Sequence, residues 1–279
     1  MRESESYYKI IKYLKKDDRL LMKILLPLLL LILPHVYSEE KFVDGMPIEE
    51  REVIDDILLF SGKNNGVRFF KGKVSKELDL PFSSVVAAVR EFEKRCSNEL
   101  KDKRNHLAPD YICEMENENV VESIKFTELK YSKNDPFKTD QYILQRKVYN
   151  HGEYHYYDLI TEKQIELENT KVVIIIQSLL SDKDAKQYLG EKAEPRESVF
   201  NNTEGIFTLK DLGSNKTLFT YEYTTKTEHW VLNKSFMVSR FFEGTSKSLN
   251  NLVKEISKRA TIIEEEKAKE KKLKLTQFR

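Results

Sequence analysis

The stretch from Ser235 to Ile263 reads "SFMVSRFFEGTSKSLNNLVKEISKRATII", and its apolar residues recur every three or four positions. This spacing places them along one face of an α-helix. At 1.5 Å per residue the helix is about 40 Å long, enough to cross a whole domain. The residues of its apolar face are Val238, Phe241, Phe242, Thr245, Leu249, Leu252, Ile256 and Ala260. The stretch therefore predicts a long amphipathic C-terminal helix whose apolar face needs a partner.

Upstream of this helix, apolar and polar residues alternate, as expected for β-strands. Asn150-His-Gly152 and Gly213-Ser-Asn215 are typical of hairpin turns, so most of the strands should be antiparallel. A curved antiparallel sheet with an apolar face needs a cover, and the long helix has the length to provide it. The predicted strands cover 66–80, 110–116, 119–131, 139–150, 153–161, 170–179, 197–211 and 215–227.

Two further helices are predicted in the N-terminal half of the chain. "PIEEREVIDDILLFSG" (47–62) begins with proline and acidic residues and ends at a glycine, as many helices do. "PFSSVVAAVREFEKRC" (81–96) has Val85, Val89 and Phe92 at helical spacing. The predicted fold class is therefore α+β of the helix-grip type. In this fold a curved antiparallel β-sheet wraps around a long C-terminal α-helix, and helices near 83–105 fill the remaining opening.

Three stretches resemble the START-like (SRPBCC) superfamily of lipid-transfer and polyketide-cyclase-related domains. "ELDLPFSSVVAAVREFEK" (77–94) resembles its first strand and helix, and "GIFTLKDLGSNKTLFTYEY" (205–223) its last hairpin. "HWVLNKSFMVSRFFEGTSKSLNNLVKEI" (229–256) is similar to its long helix and the approach to it. The resemblance covers about 66–260 and implies an internal cavity that binds a lipid or other apolar molecule. The family's Asp-Pro-Gly-Gly turn is replaced here by "TTKTEH" (224–229), which leaves the specific ligand open.

The resemblance implies that the start of the long helix closes this cavity. Ordinary core packing is the alternative for the aromatic residues there, because aromatic side chains dominate cores generally. Arg240 has apolar neighbours, and facing inward it would need a partner such as a lipid head group or carboxylate. Facing outward, it would extend into solvent. The candidate ligand-binding residues are Trp230, Phe236, Arg240, Phe241, Phe242 and Thr245.

The sequence has no recognisable catalytic signature, so no catalytic residue, cofactor or metal is predicted. "HGEYH" (151–155) differs from the zinc motif H-E-x-x-H and falls at a predicted hairpin turn rather than on a helix. The nine glycines are scattered singly, so there is no phosphate-binding loop. A non-enzymatic carrier is therefore favoured. The alternatives are a cyclase- or hydrolase-like enzyme of the same fold acting on an apolar substrate, and an envelope interaction protein with a filled core.

The N-terminal region predicts export. The run from Ile24 to Pro34 is apolar throughout, basic residues precede it, and Ser38 supplies a small residue for cleavage. The run is shorter than the roughly 20 residues of a membrane-spanning helix. Translation starts at Met22, or the residues before it lengthen the basic region. The chain is predicted to be periplasmic or secreted, and an uncleaved segment that anchors it to a membrane is the alternative.

The charge and cysteine content of the chain limit the kinds of partner and cross-link that are expected. The 47 Lys and Arg against 46 Asp and Glu give a net charge of +1, which provides no basic footprint for nucleic acid. The expected partner is an apolar small molecule or lipid, with transient membrane contact; the oligomeric state is left open. Cys96 and Cys113 are a candidate disulfide in an exported protein, and two buried thiols are the alternative.

The chain is predicted to divide into four parts. Residues 1–38 are the export signal, 39–65 an N-terminal helical extension, and 66–263 the START-like domain. Residues 264–279, "EEEKAKEKKLKLTQFR", are a charged tail, expected as a solvated extension of the helix that frays towards its end.

Overall fold

The structure is a computed structural model, and it describes residues 41–43, 45–104, 110–126, 140–149, 153–167, 169–190, 193 and 202–277. The helices in this part are α1 (Phe82–Arg90), α2 (Asp182–Leu189) and α3 (Phe236–Gln277). The strands are β1 (Phe42–Val43), β2 (Met46–Pro47), β3 (Glu50–Ile54), β4 (Ile57–Asn64), β5 (Val67–Leu78), β6 (Arg95–Cys96), β7 (Met115–Glu116), β8 (Val120–Phe126), β9 (Asp140–Tyr149), β10 (Glu153–Leu167), β11 (Thr170–Leu179), β12 (Asn202–Gly213) and β13 (Lys216–Thr227).

Nine of these strands form one antiparallel sheet in the order β3-β4-β5-β13-β12-β11-β10-β9-β8. The strands from β8 to β13 pair with their sequence neighbours as successive hairpins. In the turn between β12 and β13, Ser214 and Asn215 have positive φ, as a hairpin turn of this length requires. The period-two alternation therefore predicted β5 and β8 to β13 of this sheet, but not β3 and β4.

The long helix α3 covers the concave face of the sheet. Its buried residues include Val238, Phe242, Leu249 and Ile256, which pack in one core with side chains of β4, β5 and β9–β13. The helix lies very close to β5 at Gly72, where an added Cβ would come within 3.0 Å of the Thr245 and Leu249 side chains. The structure therefore confirms the predicted α+β helix-grip architecture.

Charged side chains fasten α3 to α1. Arg259 donates from Nε and Nη2 to the two carboxylate oxygens of Glu91, at 2.6 and 3.1 Å. Its Nη2 also lies 2.9 Å from Glu114. Near the start of α1, Ser84 donates to Glu264 of α3, and Lys267 donates to the same serine hydroxyl at 2.6 Å. The helix is thus held to the rest of the fold on both its apolar and its polar side.

Cys96 and Cys113 form a disulfide, with 5.4 Å between their Cα atoms. The bridge joins β6 to the segment before β7, and the two strands form a short parallel pair. The buried Arg104 side chain donates to the carbonyl oxygens of Ser97 and Val121, at 2.7 and 3.1 Å. Covalent and hydrogen bonds therefore fix the segment that follows α1 against the edge of the sheet.

The helix predicted over 47–62 is wrong. This segment forms the hairpin of β3 and β4, and the helical extension expected over 39–65 consists of short strands and turns in its described residues. Asp55 and Asp56 lie in the turn, and both have positive φ. The pattern misled because Val53, Ile54, Ile57 and Leu58 fit helical spacing as well as two strands joined by a two-residue turn.

The other helices also differ from expectation. The helix predicted over 81–96 ends at Arg90, and a 3-10 turn then leads into β6. Helix α2 was not predicted from the sequence, although Ser181 is a standard N-cap whose hydroxyl accepts from the Asp184 amide at 3.1 Å. Residues of α2 cover Tyr157 on the convex face of the sheet.

At the C-terminus, α3 continues to Gln277 with exposed side chains from Glu265 to Lys274. The extension of the helix into the charged run is therefore as predicted up to that residue. Within the described residues, no helix is both long and apolar enough to span a membrane. The predicted signal over 1–38 lies outside the described residues.

A candidate ligand-binding site between the sheet and the long helix

Polar side chains from four strands lie on the concave face, among the apolar residues of the core. Because side chains alternate between the faces of a strand, Asp158 shares this face with the core residue Ile160. Asp158 pairs in register with Leu144 of the core, and Tyr221 pairs with Phe207. The sheet thus brings together residues that lie far apart in the sequence.

Asp158 is the centre of a buried polar network. Its side chain is 1% exposed. Its Oδ2 accepts from Arg146 Nε at 2.8 Å and from Gln177 Nε2 at 3.0 Å, and Arg146 Nη2 lies 2.7 Å away. Oδ1 is buried and has no hydrogen-bond partner among the described residues. An unsatisfied buried carboxylate oxygen costs stability, so this atom is available to accept from a ligand.

Gly205 makes room for the Tyr221 side chain. An added Cβ at Gly205 would lie only 2.6 Å from the Tyr221 hydroxyl oxygen. Burial raises the pKa of Tyr221 to about 12, although the Arg146 and Arg95 charges act in the opposite direction. The phenol therefore stays protonated at neutral pH and can donate a hydrogen bond on the concave face.

Tyr223 connects this polar row to α3. Burial raises the pKa of Tyr223, and a side-chain hydrogen bond with Thr245 opposes the rise. Thr245 is also one of the two residues that touch the sheet at Gly72. Tyr223 and Thr245 therefore lie side by side at the close approach of α3 to β5.

Arg95 reaches this face from the segment after α1. Its guanidinium carbon lies 4.3 Å from the centre of the Phe92 ring and 5.6 Å from that of Phe207. The electrostatic neighbours that act on its pKa include Tyr221, Tyr142 and Arg146, all on the concave face. A cation is thus placed against the polar row contributed by the strands.

These side chains are deep in the fold and yet accessible to water. The Arg146 side chain keeps 26% of its surface exposed, and Tyr221 and Tyr223 are half-buried. Burial is nevertheless the largest influence on the pKa of each of these three groups. Side chains that combine depth with accessible surface are expected beside an internal space, and such a space between the concave face and α3 stays a prediction.

The predicted site residues divide into two groups. Phe241 stacks on Phe70 of β5 with 3.9 Å between ring centres, and Phe242 and Thr245 are buried. These three residues of α3 face the sheet. Whether they contact a ligand stays a prediction.

The other three members lie at the surface, and their contact with a ligand stays a prediction. Trp230 and Phe236 are 71% and 68% exposed, and Arg240 is also exposed. They lie in the turn before α3 and on its outer face, so the outward alternative for Arg240 is the one observed.

Sequence reasoning missed the polar residues of the interior. Arg146 and Asp158 stand at alternating positions among apolar residues of β9 and β10, which is the one signal available before the register is known. Nothing in the sequence marked Arg95 as an interior residue, because the helix that ends at Arg90 was predicted to continue to residue 96. Within the described part of the chain, no three His, Cys, Asp or Glu side chains converge as metal ligands.

Comparison with known proteins gives a similarity of fold. No protein-family model and no curated protein sequence matches the chain. Similar solved structures include human STARD10, with 14% identity, TM-score 0.40 and coverage of 83% of this chain and 79% of that one. Human StAR-related lipid transfer protein 5 has 9% identity, TM-score 0.42 and coverage of 80% and 90%. A STAR-related lipid transfer protein from Xanthomonas axonopodis has 12% identity, TM-score 0.39 and coverage of 78% and 99%. No residue role or ligand is transferred from these proteins.

Proposed function

We propose that this chain binds and carries a lipid or other apolar small molecule between the concave face and α3. The observation that supports this most is the group of deep side chains that keep accessible surface, Arg146, Tyr221 and Tyr223. The surrounding residues are apolar or aromatic, with a few polar groups placed among them. That composition is typical of small-molecule sites.

The pKa directions favour binding over acid-base catalysis. Burial raises the pKa of Tyr142, Tyr156 and Tyr221, which keeps these phenols neutral at pH 7. The charge on Asp158 raises the pKa of Arg146, against the effect of burial. A general acid or base works best with a pKa near the operating pH. These shifts move the pKa values further from pH 7, so an enzyme of the same fold is the less supported alternative.

A filled core, as expected for an envelope interaction protein, fits the interior less well. Arg95 Nε, Glu93 Oε2 and Asp158 Oδ1 are buried without hydrogen-bond partners among the described residues. Buried polar atoms are nearly always paired in a closed core. A ligand or water in the internal space would supply the missing partners.

Transient membrane contact and export belong to the same proposal. Trp230 and Phe236 are exposed at the start of α3, and aromatic side chains favour the membrane interface. The Cys96–Cys113 disulfide supports a periplasmic or secreted location, because such bonds persist in oxidising compartments. The apolar run at 24–34 supports export in the same way.

A blocking substitution tests the site. Leu179 pairs in register with Asp158 and shares the concave face, so Leu179→Trp should fill part of the space. We expect this variant to bind the neutral apolar dye Nile red at least about tenfold more weakly, since the ring occupies the volume of the dye. Leu212→Trp is the control, because Leu212 is exposed beside the β12–β13 turn. Binding of Nile red that both variants leave unchanged would contradict the proposal.

A further inference from the structure

The backbone of Arg95 is held from several directions. The neighbouring Cys96 is bridged to Cys113, and both strand residues of β6 pair with β7. The Arg95 carbonyl oxygen accepts from the Ser123 hydroxyl at 3.3 Å. The side chain therefore starts from a fixed point, and its guanidinium lies against the Phe92 and Phe207 rings.

The Arg95 guanidinium has few polar partners. Nη2 donates to the Val89 carbonyl oxygen at 3.1 Å, and Nε is buried without a partner among the described residues. No carboxylate oxygen of the described residues lies within ion-pair distance, 4.0 Å. Burial lowers the pKa of Arg95 to about 10, so the group is still charged at pH 7. Arg95 is half-buried, and a cation withdrawn from water without an ion-pair partner is costly unless something compensates for it.

The acidic groups nearby do not provide that compensation. Asp158 is bound to Arg146, whose own positive charge acts against that of Arg95. Glu93 acts on Arg95 only from beyond ion-pair distance. Arg95 is therefore a cation at the concave face that has no direct counter-ion among the described residues.

We propose that Arg95 binds the anionic head group, a carboxylate or phosphate, of an amphiphilic ligand whose apolar part lies beneath α3. This proposal rests on the proposed function and specifies the class of ligand. A guanidinium presents its donors in a planar fork that matches the oxygens of both groups. The Phe92 and Phe207 rings beside it limit access of water, which strengthens the interaction with an anion.

Two neutral phenols are placed to assist. Tyr221 stacks on Phe207, the ring beside Arg95, and Tyr142 lies opposite Ile160 on the concave face. Both phenols are protonated at neutral pH, and burial raises the pKa of each further. Each can therefore donate a hydrogen bond to an anionic oxygen near the guanidinium. A neutral head group, such as an alcohol, would use the same donors and leave the charge of Arg95 uncompensated.

Three ligands with the same apolar chain test the proposal on the full chain. Palmitate, palmityl phosphate and palmityl alcohol are each titrated against bound Nile red, and their dissociation constants are compared. We expect one or both anions to bind at least about tenfold more tightly than the alcohol, since a close buried charge pair contributes this much or more. The anion that binds more tightly shows whether the preferred head group is a carboxylate or a phosphate.

Variants at Arg95 assign the preference to this residue. Arg95→Met keeps the volume and removes the charge, and it should reduce the preference for the anions to about twofold or less. Arg95→Lys should retain part of the preference, because it keeps the charge without the planar fork. Arg51→Met is the control, since Arg51 is exposed on β3, next to the Phe60 ring.

The outcomes separate the two proposals. Equal binding of the alcohol and the anions to the unaltered protein would overturn the role of Arg95 and leave the proposed function standing. This comparison needs no variant, so a failure of Arg95→Met to fold does not affect it. An anion preference that Arg95→Met keeps would also overturn the assignment. Failure of the protein to bind Nile red or any of the three ligands would overturn the proposed function itself.

Discussion

Gly205 shows how a missing side chain shapes the candidate site. Its absent Cβ leaves the place that the Tyr221 hydroxyl occupies, and that hydroxyl belongs to the polar row on the concave face. Gly205→Ala should destabilise the fold by about 1–3 kcal/mol, because a methyl group added to a packed interior forces its neighbours to move. The free energy of unfolding, measured by chemical denaturation, checks this.

Two matched variants test the cause of that loss. In a Tyr221→Phe background the cost of Gly205→Ala should be smaller, since the hydroxyl that meets the new methyl is gone. Gly244→Ala is the control, because nothing lies within 4 Å of an added Cβ there. In a helix interior this change should be neutral or stabilising by up to about 1 kcal/mol. Equal losses for Gly205→Ala in both backgrounds would show that the strain does not come from Tyr221.

At the scale of elements, the contact between α1 and α3 depends on pH. Burial raises the pKa of Glu91, but hydrogen bonds from Arg259 and Lys94 outweigh it, so the pKa lies below its ordinary value of 4.5. A lowered pKa in the folded state stabilises the fold above about pH 4.5 and loses this effect as the pH falls through the folded-state value. The ion pair between Glu91 and Arg259 should therefore weaken in acid.

Arg259→Met isolates this contribution. We expect it to lower the free energy of unfolding by about 1.5–3 kcal/mol at pH 7, as for other hydrogen bonds between charged groups. The difference from the unaltered protein should shrink as the pH falls from 4.5 through the lowered folded-state pKa of Glu91, where its carboxylate becomes protonated. Lys258→Met, at an exposed neighbouring position on α3, serves as the control. A difference that stays constant from pH 7 to strong acid would argue against the ion pair as its source.

The disulfide should stabilise both the fold and the position of Arg95. It closes a loop with a sequence separation of 17, for which the loss of chain entropy in the unfolded state corresponds to about 3 kcal/mol. Cys96→Ser combined with Cys113→Ser should lose about this amount and should bind palmitate more weakly, because Arg95 adjoins the bridge. Denaturation with and without a reductant provides the measurement.

The reductant also supplies the internal control. The unaltered protein should approach the double variant when reduced, and the double variant should not respond. If reduction leaves the stability of the unaltered protein the same, the bridge contributes nothing measurable.

The helices and strands also show where the sequence alone was sufficient to predict the structure. The apolar spacing of α3 extends from Val238 to Ile263, about seven turns, and no other regular structure accommodates it. Between residues 47 and 62 the pattern is too short to distinguish a helix from a hairpin, and Asp55-Asp56 was the only turn signal. The capping serine of α2 was readable, but its eight residues contain just two buried side chains, Ala185 and Leu189.

On the scale of the whole molecule, the site is a product of strand register. Arg95, Arg146, Asp158 and Tyr221 come from four separate elements, and each alone resembles an ordinary charged or aromatic surface residue. Pairing of β9 through β13 places them on one face, and the disulfide brings Arg95 to it. The sequence could predict the helix and the sheet, and hence an interior, but the groups that line it follow only from the paired strands.

The central claim is that a molecule binds between the concave face and α3, and native mass spectrometry tests it most directly. The full chain is purified without detergent, its mass is measured under native conditions, and any bound molecule is extracted into organic solvent and identified. We expect a discrete added mass that extracts as an amphiphilic, apolar compound and is reduced in Leu179→Trp. A protein that keeps its bare mass, even after incubation with a total lipid extract, would contradict the claim.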